Sequence, residues 1–161
     1  MSSSPANQLD SAVAPFVRDA IARAVAVVGL MGVALIHVLD AHDTFADSAY
    51  KGWLYVGLIA GTTATAAVLV RRSDPRAWAA AAALCAGAFV AFVVSRTTGL
   101  PQGADDIGNW WEPLGLASLF VEGSVVALSV AVLAERVRVL APRRVPVVRA
   151  RPERRLERSF R

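Results

Sequence analysis

Glu122 is the residue whose chemistry most needs an explanation. It is the one ionisable side chain in the apolar run from Leu114 to Ala134. It lies nine residues past Pro113, about 13 Å along a helix at 1.5 Å per residue. A carboxylate near a bilayer midplane costs several kcal/mol unless it is paired, hydrated or protonated, and such groups usually mark function. Ser118 is one turn away on the same helical face. His37 comes late in the first apolar run, Tyr55 brings a hydroxyl from the second, and Arg96 closes the third. The Arg96 side chain is long enough to turn inward or to reach the headgroups. These residue types predict a polar pocket that opens outward and is lined by His37, Tyr55, Arg96, Ser118 and Glu122. Such a pocket can bind a small ligand, a proton or a metal ion. With His37 as base and Glu122 as acid it also has the minimum for proton-transfer catalysis. The alternative is a hydrogen-bonded network that only fixes helix packing.

A metal site needs more donors than the sequence offers with clear geometry. His37 to Asp43 reads HVLDAHD, which places His37 and Asp40 at i, i+3 with His42 and Asp43 just beyond. Imidazole with carboxylate suits zinc, copper or iron. The chain has two His in all, and His42 is expected in a loop, so no metal or other cofactor is assigned. Two His five residues apart on one segment also cannot clamp a haem from opposite faces. No G-x-S-x-G, H-E-x-x-H, Walker loop or G-x-G-x-x-G is present. No apolar run carries a regular row of Arg, as a voltage sensor would.

The elements that must position these groups follow from hydropathy. Of 161 residues 55% are hydrophobic, mean hydropathy is +0.47, and the apolar residues fall into four blocks. Gly52 to Val70 and Ala77 to Ser95 are uncharged and nineteen residues long, enough to cross most of a roughly 30 Å hydrocarbon core. The prediction is an all-α integral membrane bundle of four transmembrane helices at about 20–39, 52–70, 77–95 and 114–134. A backbone in lipid must satisfy its own hydrogen bonds, which selects helix. Residues 1–19 form an N-terminal segment and 136–161 a basic tail. The first apolar run follows seventeen mixed residues rather than a short basic n-region and has no convincing A-x-A site before Asp40, so it is read as a retained helix rather than a signal peptide.

Orientation follows from where Arg and Lys fall. Arg18 and Arg23 stand at the start of the first span, Arg71, Arg72 and Arg76 fill the second turn, and ten Arg lie at or after Arg136. The other two loops hold Lys51 and Arg96 against Asp40, Asp43, Asp47, Asp105, Asp106 and Glu112. Both termini are therefore expected in the cytoplasm. Tyr50, Trp53, Tyr55, Trp110 and Trp111 are expected at the outer interface and Trp78 at the inner one. Gly57 and Gly61 form the best candidate for close helix contact; Ala83, Gly87 and Ala91 repeat the spacing, as do Gly123, Ala127 and Ala131. The Pro-rich basic tail is expected to bind anionic lipid headgroups, at about 1 kcal/mol per basic residue, rather than nucleic acid. Sixteen Arg against a single Lys, with abundant Ala and Val, point to a GC-rich bacterial genome and so to a bacterial cytoplasmic membrane.

SRTTGLP at Ser95 to Pro101, then WEPLGLASL at Trp111 to Leu119 and Glu122, resembles a recurring type of small, uncharacterised bacterial membrane protein. Those proteins are similar in having four helices, a His late in the first helix and an aromatic–glycine start to the second, matched here by His37 and by Trp53 to Gly57. The resemblance covers most of residues 20–135 and leaves out the tail. It implies that His37, Arg96 and Glu122 belong to one site, and it implies no activity. Two functions are expected from all this. One is an accessory or binding subunit that docks to a larger membrane assembly, or to a second copy, through Gly-rich faces and the tail. The other is a stand-alone protein that binds a ligand, proton or metal through His37, Arg96 and Glu122.

Overall fold

The computed structural model describes residues 5–101 and 104–140 and is all-helical, with no β-strand among them. Four helices follow in order: α1 (Pro5–Asp47), α2 (Ala49–Arg71), α3 (Pro75–Thr97) and α4 (Pro113–Leu140), with a 3₁₀ turn at Ala104–Asp106. Each is long and apolar enough to cross a membrane, the architecture of a multi-pass membrane protein. They run antiparallel in sequence order; α4 closes the ring against α1, and the contact between α2 and α3 is the thinnest of the four. Large apolar side chains such as Phe16, Val28, Phe120 and Trp111 stand outside the bundle, where a bilayer would cover them.

The stops and starts are local chemistry. Pro75 sits in the first turn of α3, where its missing N–H is harmless, and the Asp74 side chain accepts from Arg76 N at 2.8 Å. Pro113 opens α4 in the same way. α3 ends where Thr98 and Gly99 both return their N–H to the Val94 carbonyl, with Gly99 at φ 80°, a left-handed conformation that suits glycine.

Several expectations change. α1 continues to Asp47, so Asp40, His42, Asp43 and Asp47 are helical rather than in a loop, and a single residue, Ser48, separates α1 from α2. α4 runs on to Leu140, into the segment read as tail, and 141–161 lie outside the described residues. Trp78, expected in an interfacial belt, is instead packed inside the bundle: it is fully buried and donates from Nε1 to Ser73 Oγ at 3.1 Å.

The two ends of the bundle differ. At the Arg-rich end, Ala26, Leu30, Val33, Ala66, Leu69, Ala77, Trp78, Ala81, Cys85 and Val125 form a closed core. A polar clamp seals it. Ser73 donates to Asp19 Oδ1 at 2.6 Å, Arg23 pairs with Asp19 Oδ2 at 3.0 Å, and Arg136 reaches Ser73 O at 3.0 Å and Asp19 Oδ1 at 3.5 Å. Arg23 also reaches the Leu69 carbonyl at 3.4 Å, so all four helices or their turns meet there. Asp19→Ala leaves two part-buried guanidinium groups short of a partner. It should lower stability by about 1–3 kcal/mol in detergent unfolding, and a wild-type midpoint would remove the clamp from the account.

Candidate functional site

The half of the bundle at the Asp-rich end is open. A cavity of about 670 Å³ extends into it from the α1–α2 corner and the α3–α4 loop, with Glu122 among its lining residues. Extension of α1 explains the cavity's acidic wall. Asp40, Asp43, Thr44 and Asp47 recur at i, i+3, i+4 and i+7 and all line the cavity, while His42 is exposed and does not.

Glu122 is 1% exposed and is held from its own helix, since Ser118 Oγ donates to Glu122 Oε1 at 2.6 Å. Its second oxygen, Oε2, is buried with no hydrogen-bond partner among the described residues. Opposite, on α1, His37 Nδ1 lies 2.9 Å from the Val33 carbonyl. A carbonyl can only accept, so Nδ1 carries the ring proton and Nε2 of the neutral ring presents a lone pair. That Nε2 stands 3.9 Å from Glu122 Oε1, close enough to interact and too far for a direct hydrogen bond. Tyr55 packs edge-on to the His37 ring with centroids 4.6 Å apart and donates to Asp40 Oδ2 at 2.9 Å. Thr44 donates to the same oxygen at 3.3 Å.

Four of the five expected pocket residues thus converge: His37, Tyr55, Ser118 and Glu122. Arg96 lines the same cavity but has other partners. Its Nη1 pairs with Asp106 Oδ1 at 2.7 Å, its Nη2 pairs with Glu112, and its guanidinium lies 4.8 Å above the Phe92 ring. The Arg96 carbonyl meanwhile accepts from Gly108 N at 2.9 Å. Arg96 therefore fastens the α3–α4 loop across the cavity mouth. Burial pushes the Glu112 carboxyl up, while Arg96 pulls it back down. Lys51 completes this rim, 3.6 Å from Asp106.

Asp106, Glu112 and Lys51 were not expected at the site. The signal was present in the sequence: three acids, Asp105, Asp106 and Glu112, in one loop beside a single Arg at a span end. Of the metal candidates, His37, Asp40 and Asp43 share the cavity wall and His42 faces away. Among the described residues no three His, Cys, Asp or Glu form a group that could hold a metal ion.

The glycine expectation is half met. A Cβ on Gly61 would lie 3.2 Å from the Leu84 side chain, so α2 and α3 cross closely there. Gly57 and Gly87, each about a turn nearer the Asp-rich end, have nothing within 4 Å of a Cβ, are exposed, and line the cavity. Above the Gly61 crossing the two helices splay into a cleft. Ala83 and Ala91, read as contact residues, are exposed along that cleft.

The molecule is thus an all-α bundle of four membrane-length helices, closed at one end and cleft at the other around a buried carboxylate. Comparisons with protein-family models, with curated proteins and with solved structures return no match.

Proposed function

We propose that this chain is a ligand-binding protein of the bacterial cytoplasmic membrane, with both termini in the cytoplasm and the cavity opening to the outside. Glu122 carries the reading. A fully buried carboxylate with one oxygen unpartnered, inside a cavity large enough for a small molecule, is poor structural glue and a good ligand contact. His37 and Ser118 present Glu122 to the ligand, Tyr55 holds the Asp40 wall, and Arg96 keeps the mouth in shape. The cavity is built within one chain, and Glu122 faces the bundle interior. Both points favour a self-sufficient binding protein over an accessory subunit whose carboxylate awaits a partner helix. Arg and Lys placement supports the orientation. The basic tail is assigned to anionic headgroups on its own charge.

Stability and labelling together test this. Replacing a buried carboxylate kept for binding by an apolar side chain is often neutral or stabilising. Glu122→Met should therefore unfold at or above the wild-type midpoint; a loss of more than about 2 kcal/mol would make Glu122 a packing element. In a Cys85→Ala background, Ser118→Cys should react with a membrane-impermeant thiol reagent applied from outside. Protection from that side would mean that the cavity is closed or faces the other way.

A further inference from the structure

The open end has more to say about what enters it. Among the described residues, six carboxylates line the cavity, Asp40, Asp43, Asp47, Asp106, Glu112 and Glu122, against two permanent cations, Lys51 and Arg96. Both cations are engaged, Arg96 with Asp106 and Glu112 and Lys51 with Asp106. Asp40, Asp43, Asp47 and Glu122 are left without a permanent cation in the cavity. A wall with this balance draws positive charge and repels anions.

At Glu122 the demand is more specific. His37 Nε2, 3.9 Å from Glu122 Oε1, offers a lone pair, Glu122 Oε2 accepts when the carboxyl is ionised, and no donor among the described residues serves Oε2. A group that serves both atoms beside an ionised Glu122 must donate. An ammonium carries three N–H donors and no acceptor, whereas a quaternary ammonium carries charge without donors. A bare cation does not account for the remaining space. The cavity is about 670 Å³, against roughly 30 Å³ for a water molecule. Its α2–α3 side is apolar, lined by Leu54, Leu58, Leu84, Ala88 and Phe92. The splay above the Gly61–Leu84 crossing, where Gly57 and Gly87 meet nothing, opens that apolar side toward the surface a bilayer would cover.

We propose that the ligand is an amphiphile with a primary ammonium head, which docks between His37 and Glu122 while its apolar tail lies in the α2–α3 cleft. This rests on the binding reading above and gives that site its ligand class. The head gains charge-assisted hydrogen bonds in a dry pocket, and the tail never leaves an apolar medium.

The full chain in phosphatidylcholine nanodiscs, titrated with octylamine, octyltrimethylammonium, octanol and octanoate, tests it. Octylamine should bind, and the other three should bind at least tenfold more weakly. Glu122→Gln should weaken octylamine at least tenfold with the fold intact. Gly57→Leu, which projects into open space in the cleft, should weaken octylamine severalfold. Nanodiscs containing phosphatidylethanolamine identify the source: competition with octylamine points to a lipid headgroup, and unchanged affinity to a free amine. Octanol or octanoate binding as well as octylamine, with the same Glu122 dependence, would overturn the ammonium assignment and leave the binding reading standing. Octylamine binding that ignores Gly57→Leu would overturn the cleft. Octylamine uptake unchanged by Glu122→Gln is bilayer partitioning and would overturn the whole proposal; the Ser118 labelling and Glu122→Met stability decide the binding reading separately.

Discussion

Arg96→Met should loosen the α3–α4 loop and lower stability by about 2–3 kcal/mol. Removing one partner of a fully buried ion pair costs about 3–5 kcal/mol, because the other charge is left behind unpaired. Here the guanidinium side chain is 7% exposed, but Asp106 and Glu112 are 35% and 32% exposed, so water recovers part of the loss. Methionine keeps the apolar stem and its packing on Phe92, which isolates the charge. Lysine should rescue poorly. One ammonium cannot reproduce a planar fork aimed at two carboxylates from different parts of the loop. Unfolding midpoints in detergent and amide exchange over residues 104–112 measure the effect. The loop amides should exchange faster in both variants while the Leu30–Trp78 core stays protected. Wild-type exchange in the loop would show that the Arg96 contacts are surface pairs of little weight.

That result bears on how much of the molecule can be read from the chain alone. Four membrane-length helices are legible because lipid demands long uncharged runs, and 52–70 and 77–95 show them without ambiguity. Ser118 with Glu122 is legible because helical spacing is local. The facing of His37 and Glu122 also follows once each is placed on the inner face of its helix. Arg96 is different. Its three choices, Glu122, the headgroups or the loop acids, have similar reach from the end of α3. Only the turn at Gly99 and the closure of Gly108 N on the Arg96 carbonyl, which bring Asp106 and Glu112 to the guanidinium, select among them. The continuation of α1 to Asp47 was hidden for a related reason. Its polar residues look like a loop in hydropathy, yet at i, i+3, i+4 and i+7 they form the wet face of one helix. Gly57 shows the limit of spacing rules. It has the same i, i+4 pairing with Gly61 that marks helix contacts, but the splay of α2 from α3 turns it into an opening.

Gly29→Ala tests the contact that the spacing rules passed over. Alanine in place of glycine inside a helix normally stabilises by about 1 kcal/mol. Here the sign should reverse. A Cβ on Gly29 would lie 2.5 Å from Cγ2 of Val125, a side chain 3% exposed in the core. Valine in a helix has essentially one χ1 rotamer, so the methyl cannot swing clear and α1 must move off α4. Gly32 continues the seam, with Val121 at 3.5 Å from a Cβ there. Overpacking of this kind costs about 1–3 kcal/mol, and lipid gives the helices little hydrophobic drive to come back together. The same displacement should be felt at the site. His37 is two turns beyond Gly29 on α1 and Glu122 is just under one turn from Val125 on α4, so pushing the seam apart widens the 3.9 Å gap between them. Gly29→Ala should therefore lose stability and octylamine affinity together. Val125→Ala in the same chain gives the new methyl its space and should restore both. The double-mutant coupling energy is expected at about 1–2 kcal/mol. Additive losses would mean that the two residues do not meet, and the α1–α4 seam would no longer be what brings His37 and Glu122 together.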